Sequence, residues 1–185
     1  MFIIVIINLL ILTGQIHNTA SSSCREVKIV NHIVKWGQET TNRLRKIEAI
    51  IIHSSYNALT SDSFSLDGVL QEYKAAGVTP HYIIDREGVI YRLAPDGNIA
   101  FQAGKSRLPN GKTNVNAVSI GIEIINTTYD SPTEAQYISL AKLVDCLKSK
   151  YPVKYILGHS DIAPGRKTDP WNFNWKKFDA LLKNH

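Results

Sequence analysis

The run Ile47-Glu-Ala-Ile-Ile-Ile-His53 constrains this chain more than any other stretch. Successive residues of a strand face opposite sides of its sheet, so the unbroken apolar segment Ala49 to Ile52 needs cover on both sides. The run ends in His53-Ser-Ser-Tyr56, which sets a histidine at the strand's exit. Val153 to Leu157 is a second short apolar strand, and it breaks into the polar loop Gly158-His159-Ser-Asp161.

The covering layers read as helices. Ser61 to Ala76 carries Leu66, Val69, Leu70 and Tyr73 at helical spacing, with Ser and Asp residues to cap its start and Gly77 to end it. A second helix begins at Ser131-Pro132-Thr-Glu134, buries Ala135, Ile138, Ala141, Val144 and Leu147, and stops at Tyr151-Pro152. A third spans Trp171 to Leu182. Pro80 to Asp85 and Val89 to Leu93, joined by Arg86-Glu-Gly88, form a hairpin signal. Residues 94–117 form a Gly-, Asn- and Pro-rich loop, of a length that in a compact domain is functional or disordered. In Val118 to Asn126, alternation sends Ile120, Ile122 and Ile124 to one face and Ser119, Gly121 and Glu123 to the other. A carboxylate beside small residues suggests a pocket floor. Strands alternating with helices predict an α/β fold, a single domain with a central mixed β-sheet flanked by helices.

At 185 residues and 44% apolar composition the chain can bury one substantial core, which excludes a disordered protein. Its net charge of +5 favours an anionic partner, but the Lys and Arg are scattered and no phosphate-cradling loop supports nucleic-acid chemistry. Phe2 to Thr13 is apolar, with no charged side chain before Arg25. That is short for a membrane span and suited to a secretory signal cleaved near Ala20 to Ser23. An uncleaved anchor or an N-terminal core strand are the alternatives. The expected organisation is a signal peptide or membrane-targeting segment over 1–23, an N-terminal arm over 24–45 and a catalytic domain over 46–185. The expected location is outside the cytoplasm, in the periplasm, the cell envelope or secreted. Cys24 follows the small residues as a lipid-modified cysteine would, although Ser21 stands where an aliphatic residue is usual. Cys146 reads as a small core residue, and the two cysteines can also pair in an oxidising compartment.

His53 and His159 each leave a strand, so both can emerge at one edge of a common sheet. Two imidazoles and a carboxylate make a three-ligand zinc shell with an open position. Asp169, in a loop stiffened by Pro164 and Pro170, is the best third candidate; Asp161 competes but would need a sharp reversal. Amide hydrolysis at such a centre also needs a proton shuttle, which suits Glu123, and a counter-charge for an oxyanion, which suits Lys167. A salt-bridged glutamate and a solvated lysine are the plainer readings of those two. No His-Glu-x-x-His helix supports a general metalloprotease.

Ile51-Ile-His53-Ser-Ser, Ser119-Ile-Gly-Ile-Glu123 and Gly158-His159-Ser-Asp161-Ile-Ala-Pro164-Gly-Arg166-Lys167-Thr-Asp169-Pro170 together resemble the zinc-dependent N-acetylmuramoyl-L-alanine amidases over about residues 46–180. The resemblance implies one zinc ion held by His53, His159 and Asp169, with Glu123 and Lys167 catalytic. It implies cleavage of the amide between N-acetylmuramic acid and L-alanine in peptidoglycan or its fragments, by a monomer. A membrane would be met only through the N-terminal signal or a lipid. By similarity His81 lines the cleft rather than binding metal, and Gln102 contacts substrate. Phe101-Gln102-Ala103-Gly104 stands where related bacterial enzymes often show Trp-His-Ala-Gly, and Pro80 where some relatives carry Tyr. The alternative is a binding module that recognises peptidoglycan without cutting it.

Overall fold

The isoleucine-rich strand runs through the inside of the sheet. The computed structural model describes Cys24 and residues 27–183; the stretch read as a targeting signal, 1–23, lies outside the described residues. In chain order the elements are β1 (Ile29–Asn31), β2 (Gln38–Glu39), β3 (Ala49–Ser55), α1 (Leu66–Ala76), β4 (Tyr82–Ile84), β5 (Ile90–Arg92), β6 (Ile99–Ala100), β7 (Ser119–Ile125), α2 (Glu134–Lys150), β8 (Tyr155–Gly158), α3 (His159–Ile162) and α4 (Trp175–Lys183). Six strands form one mixed sheet in the order β1-β5-β4-β7-β3-β8. β4, β7, β3 and β8 are mutually parallel, while β5 runs antiparallel to β4 and β1 pairs parallel with β5. β2 and β6 pair separately as a two-stranded ribbon. This is the expected α/β architecture.

The parity of each central strand assigns its two faces. Ile50, Ile52, Ile84, Ile120, Ile122 and Ile124 point to one face, where α2 contributes Tyr137, Leu140, Ala141 and Val144 and α4 contributes Phe178. Ile83 and Ile125 point to the other, against Val69, Leu70 and Tyr73 of α1, while Ala49 and Ile51 meet Ala103, Leu108 and Val115 of the long loop. Full burial of one such side chain is worth about 1.5–3 kcal/mol. Between α1 and the long loop the second face is left uncovered at the carboxyl ends of β3 and β7.

The helix ends follow local chemistry. Ser65 Oγ accepts the Gly68 N–H at 3.2 Å, and Gly77 ends α1 in the left-handed region, at φ 65°. α1 therefore begins at Leu66 rather than at Ser61. α2 is capped by Thr133, not by Ser131: Thr133 Oγ1 accepts the Gln136 N–H at 3.1 Å, and Gln136 Oε1 accepts the Thr133 N–H at 3.0 Å. Gln136 is fully buried, and its Nε2 donates to the carbonyls of Ile84 and Ile125. Ile138 does not belong to the buried stripe. It is 38% exposed and borders a groove with Val30 and Val89 beside the sheet edge, while Tyr137 and Leu140 take the inward positions.

Residues 27–45 are woven into the domain rather than lying beside it as a separate arm, since β1 extends the sheet and β2 holds β6 of the long loop. Cys24 and Cys146 form a disulfide across a separation of 122 residues. This is the pairing that the two cysteines allowed, and Cys146 is buried as expected. The Cys24 sulfur has no valence left for a lipid thioether.

Candidate active site

The register of β3 with its neighbours assembles the site. His53 lies opposite Glu123 of β7, and Ile52 lies opposite Gly158, after which His159 opens α3. All three side-chain-bearing residues thus reach the carboxyl ends of parallel strands, where open α/β sheets leave a crevice for ligands. Asp169 returns to the same point from the loop after α3, where Ser160 N–H donates to the Asp169 carbonyl at 2.8 Å; the Asp169–Pro170 peptide is cis. One ligand atom from each of His53, His159 and Asp169 lies within 4.8 Å of the others, and all three residues are buried.

The facing atoms define what this cluster can do. His53 Nδ1 is 3.0 Å from His159 Nδ1, and Asp169 Oδ2 is 3.3 Å from the first and 3.2 Å from the second. The opposite nitrogens face acceptors: His53 Nε2 lies 2.5 Å from Gln102 Oε1, and His159 Nε2 lies 3.2 Å from the Ala103 carbonyl. Those acceptors hold the imidazole protons on Nε2 and turn both Nδ1 lone pairs inward. Burial, with the neighbouring His159 adding to it, keeps His53 below the ordinary histidine value despite Asp169 and Gln102, which favours its neutral form. With the protons on Nε2, three acceptor atoms would face one another, an arrangement that a cation relieves. These residues can hold a metal ion.

Glu123 lies beside them in a cleft of about 370 Å³ that Ser55, Tyr73, Gln102, Lys167 and Trp171 also line. Burial first, then the Asp169 carboxylate, pushes Glu123 up to about 8, with Ser55, Tyr73 and Lys167 opposing. Its Oε2 is buried without a hydrogen-bond partner. Lys167 is exposed and borders the same cleft. Asp161 stays out of the cluster: its Oδ2 accepts the Gly158 N–H at 2.8 Å and shapes the turn into α3.

Of the two expected substrate contacts, the structure corrects one. His81 does not line the cleft; it is fully buried, accepts the Gly121 N–H at Nδ1, and faces the Asn98 carbonyl with Nε2. Gln102 does border the cleft, but both polar ends of its side chain are spent inside the protein, on His53 and on Ser119. Two residues escaped notice in the sequence. Tyr73 was read as core only, yet its hydroxyl lies 2.5 Å from Ser55 Oγ in the cleft wall, and burial with Glu123 raises it well above the ordinary value. A tyrosine on an apolar stripe was the available signal. Arg45, at the end of the stretch read as an N-terminal arm, sends its guanidinium to the carbonyls of Asp96, Asn98, Asn116 and Ser119, which no local pattern announces.

Comparison with known proteins agrees with this geometry. The sequence profile described as N-acetylmuramoyl-L-alanine amidase matches residues 43–172. The "1,6-anhydro-N-acetylmuramyl-L-alanine amidase AmpD" of Citrobacter freundii is 40% identical over 108 residues, 57% of this chain and 57% of that protein. The "N-acetylmuramoyl-L-alanine amidase AmiD" of Escherichia coli is 32% identical over 146 residues, 71% of this chain and 52% of that one. The chain thus spans somewhat over half the length of the curated relatives it matches. Among solved structures, a selenomethionine AmpD derivative aligns with a TM-score of 0.67 and 29% identity, over 85% of this chain and 94% of that one. Escherichia coli AmiD, in complex with the substrate anhydro-N-acetylmuramic acid-L-Ala-D-gamma-Glu-L-Lys, aligns at 0.66 and 25% identity, over 77% and 60%. The relatives matched over 57% of this chain are AmpD amidases, and that likeness goes against the expectation of an exported, periplasmic or secreted protein. Among the described residues no helix is long and apolar enough to cross a membrane. By the profile match across most of its length, the chain belongs to the N-acetylmuramoyl-L-alanine amidase family.

Proposed function

We propose that this protein is a zinc-dependent amidase that cleaves the amide between N-acetylmuramic acid and L-alanine in peptidoglycan fragments. The observation that carries the reading is the convergence of His53 Nδ1, His159 Nδ1 and Asp169 Oδ2, which lie 3.0 to 3.3 Å from one another. Neutral imidazole and carboxylate are the donor set of a catalytic zinc with an open position, and bound zinc supplies a Lewis acid and a water acidified to about pKa 7. The relatives' names and the AmiD complex support fragments bearing 1,6-anhydro-N-acetylmuramic acid as the substrate class.

Around that centre the chain's own groups divide the work. Glu123, poised near neutrality by its burial, takes a proton from the attacking water and returns it to the departing L-alanine nitrogen. Lys167, at the mouth of the same cleft, offers positive charge to the oxyanion. Tyr73 and Ser55 hold the glutamate's side of the wall.

The test is chelation followed by zinc repletion, with products from anhydro-muropeptides identified by mass. Cleavage should vanish in metal-free protein, return with zinc, and release free L-alanine-terminated peptide. Full activity without metal would overturn the reading.

A further inference from the structure

Gln102 has no part in the mechanism above, yet it is held from every side. Ser119 Oγ has a single proton and lies 2.7 Å from the Val115 carbonyl, which can only accept it. Ser119 Oγ must therefore accept from Gln102, whose Nε2 stands 2.9 Å away. This chain of bonds sets the amide: nitrogen toward Ser119, Oε1 toward His53. An oxygen without hydrogen 2.5 Å from His53 Nε2 requires that nitrogen to carry the imidazole proton. Two competitors bid for that proton, since Asp169 Oδ2 lies 3.3 Å from His53 Nδ1 and would take it there.

The backbone under Gln102 is fixed as well. The N–H groups of Gln102 and Ala103 donate to Asn116 Oδ1 at 3.2 and 2.8 Å. Gly121 leaves the room for the side chain: a Cβ there would stand 2.6 Å from Gln102 Cγ.

We propose that Gln102 is a positioning residue that, oriented by Ser119, keeps the His53 proton on Nε2, leaves Nδ1 bare, and thereby sets the affinity of the site for zinc. The inference rests on the reading of His53 as a metal ligand. A ligand imidazole whose far nitrogen loses its acceptor typically costs the site about 10- to 100-fold in metal affinity.

The experiment joins two readouts on the full chain: imidazole ¹⁵N chemical shifts of chelator-treated protein at a pH where the imidazoles are neutral, and calorimetric titration with zinc. In wild type, His53 should report the Nε2–H form. In Gln102→Leu its proton should move to Nδ1, facing Asp169, and zinc affinity should fall about 10- to 100-fold. Gln102→Glu, which keeps an acceptor, should restore both. Ser119→Ala should act in the same direction as Gln102→Leu with a smaller loss, and it carries the comparison if the leucine variant fails to fold. His159, tied to the Ala103 carbonyl, should keep its tautomer throughout. An Nδ1–H form in wild type, or an unchanged tautomer and affinity in both Gln102→Leu and Ser119→Ala, overturns the proposal. Wild-type protein that binds no zinc while His53 still obeys Gln102 would instead overturn the metal reading and, with it, only the affinity half of this one.

Discussion

Each titratable residue of the site has a neighbour that decides its state, and the neighbours separate roles that composition alone would merge. His159 presents Nδ1 to the cluster because its Nε2 faces a carbonyl, whereas Glu123 lies beside the cluster with a buried oxygen that has no partner. His159→Ala should therefore lose stoichiometric zinc, while Glu123→Gln should bind zinc normally and lose turnover by about 10²- to 10⁴-fold. Metal content by elemental analysis beside muropeptide kinetics separates the two, and equal zinc loss in both variants would refute the division. A carboxylate outside the site also contributes to stability against acid. Glu48, at the mouth of β3, is held below the ordinary glutamate value first by its hydrogen bond with Lys112 Nζ, at 2.9 Å, against the cost of its burial. A depressed carboxyl contributes stability above its ordinary titration range and loses it as pH falls through that range. Glu48→Gln should accordingly be less stable than wild type at neutral pH and indistinguishable from it near pH 3, as denaturant midpoints at the two pH values would show.

At the level of elements, the strand exits were legible because the physics that marks them is local. An apolar run followed by His-Ser-Ser, or by Gly-His-Ser-Asp, needs no distant partner to be recognised, and Glu123 announces itself by alternation within β7. The supports were not legible, because each depends on residues far along the chain. Arg45 binds carbonyls 51 to 74 residues away, in the turn before β6 and in the stretch leading into β7. Burial lowers its guanidinium to about 10. Gln102 needed Ser119 and Asn116 to reveal its task, and Ile138 was misread because an apolar side chain at helical spacing can border a groove as well as fill a core. The clamp makes a prediction for its element. Arg45→Met strands several carbonyls at once and should cost about 3 kcal/mol of stability. Because two of those carbonyls belong to Asn116 and Ser119, which hold Gln102, zinc affinity should fall in the same variant. A calorimetric titration at a temperature where the variant remains folded checks it, and unchanged affinity would mean that the long loop holds its shape without Arg45.

For the molecule as a whole, the weak point is the outer edge of the sheet. β1 has three residues and one neighbour, β5, whereas β3 and β7 are each flanked on both sides. A strand so short contributes few ladder bonds, and of the residues just ahead of it Cys24 is covalently fixed, to Cys146 on α2. In the chain-entropy picture a cross-link across a separation of 122 residues restricts the unfolded chain strongly, and removing it from a domain of this kind costs about 2–5 kcal/mol. That loss should not be spread evenly. Without the bond, β1 has little to hold it, so Cys24→Ser/Cys146→Ser should show faster amide exchange at 29–34 and a lower melting temperature. The amides of β3 and β7 should retain their protection below the melt, and zinc affinity should be unchanged, because His53, Glu123, His159 and Asp169 are positioned by the central strands and the loops beyond them. Hydrogen exchange followed by mass spectrometry, with zinc titration of the same variant, distinguishes this from a cross-link that supports the entire domain: in that case protection would fall in β3 and β7 as well, and the metal site would weaken with it.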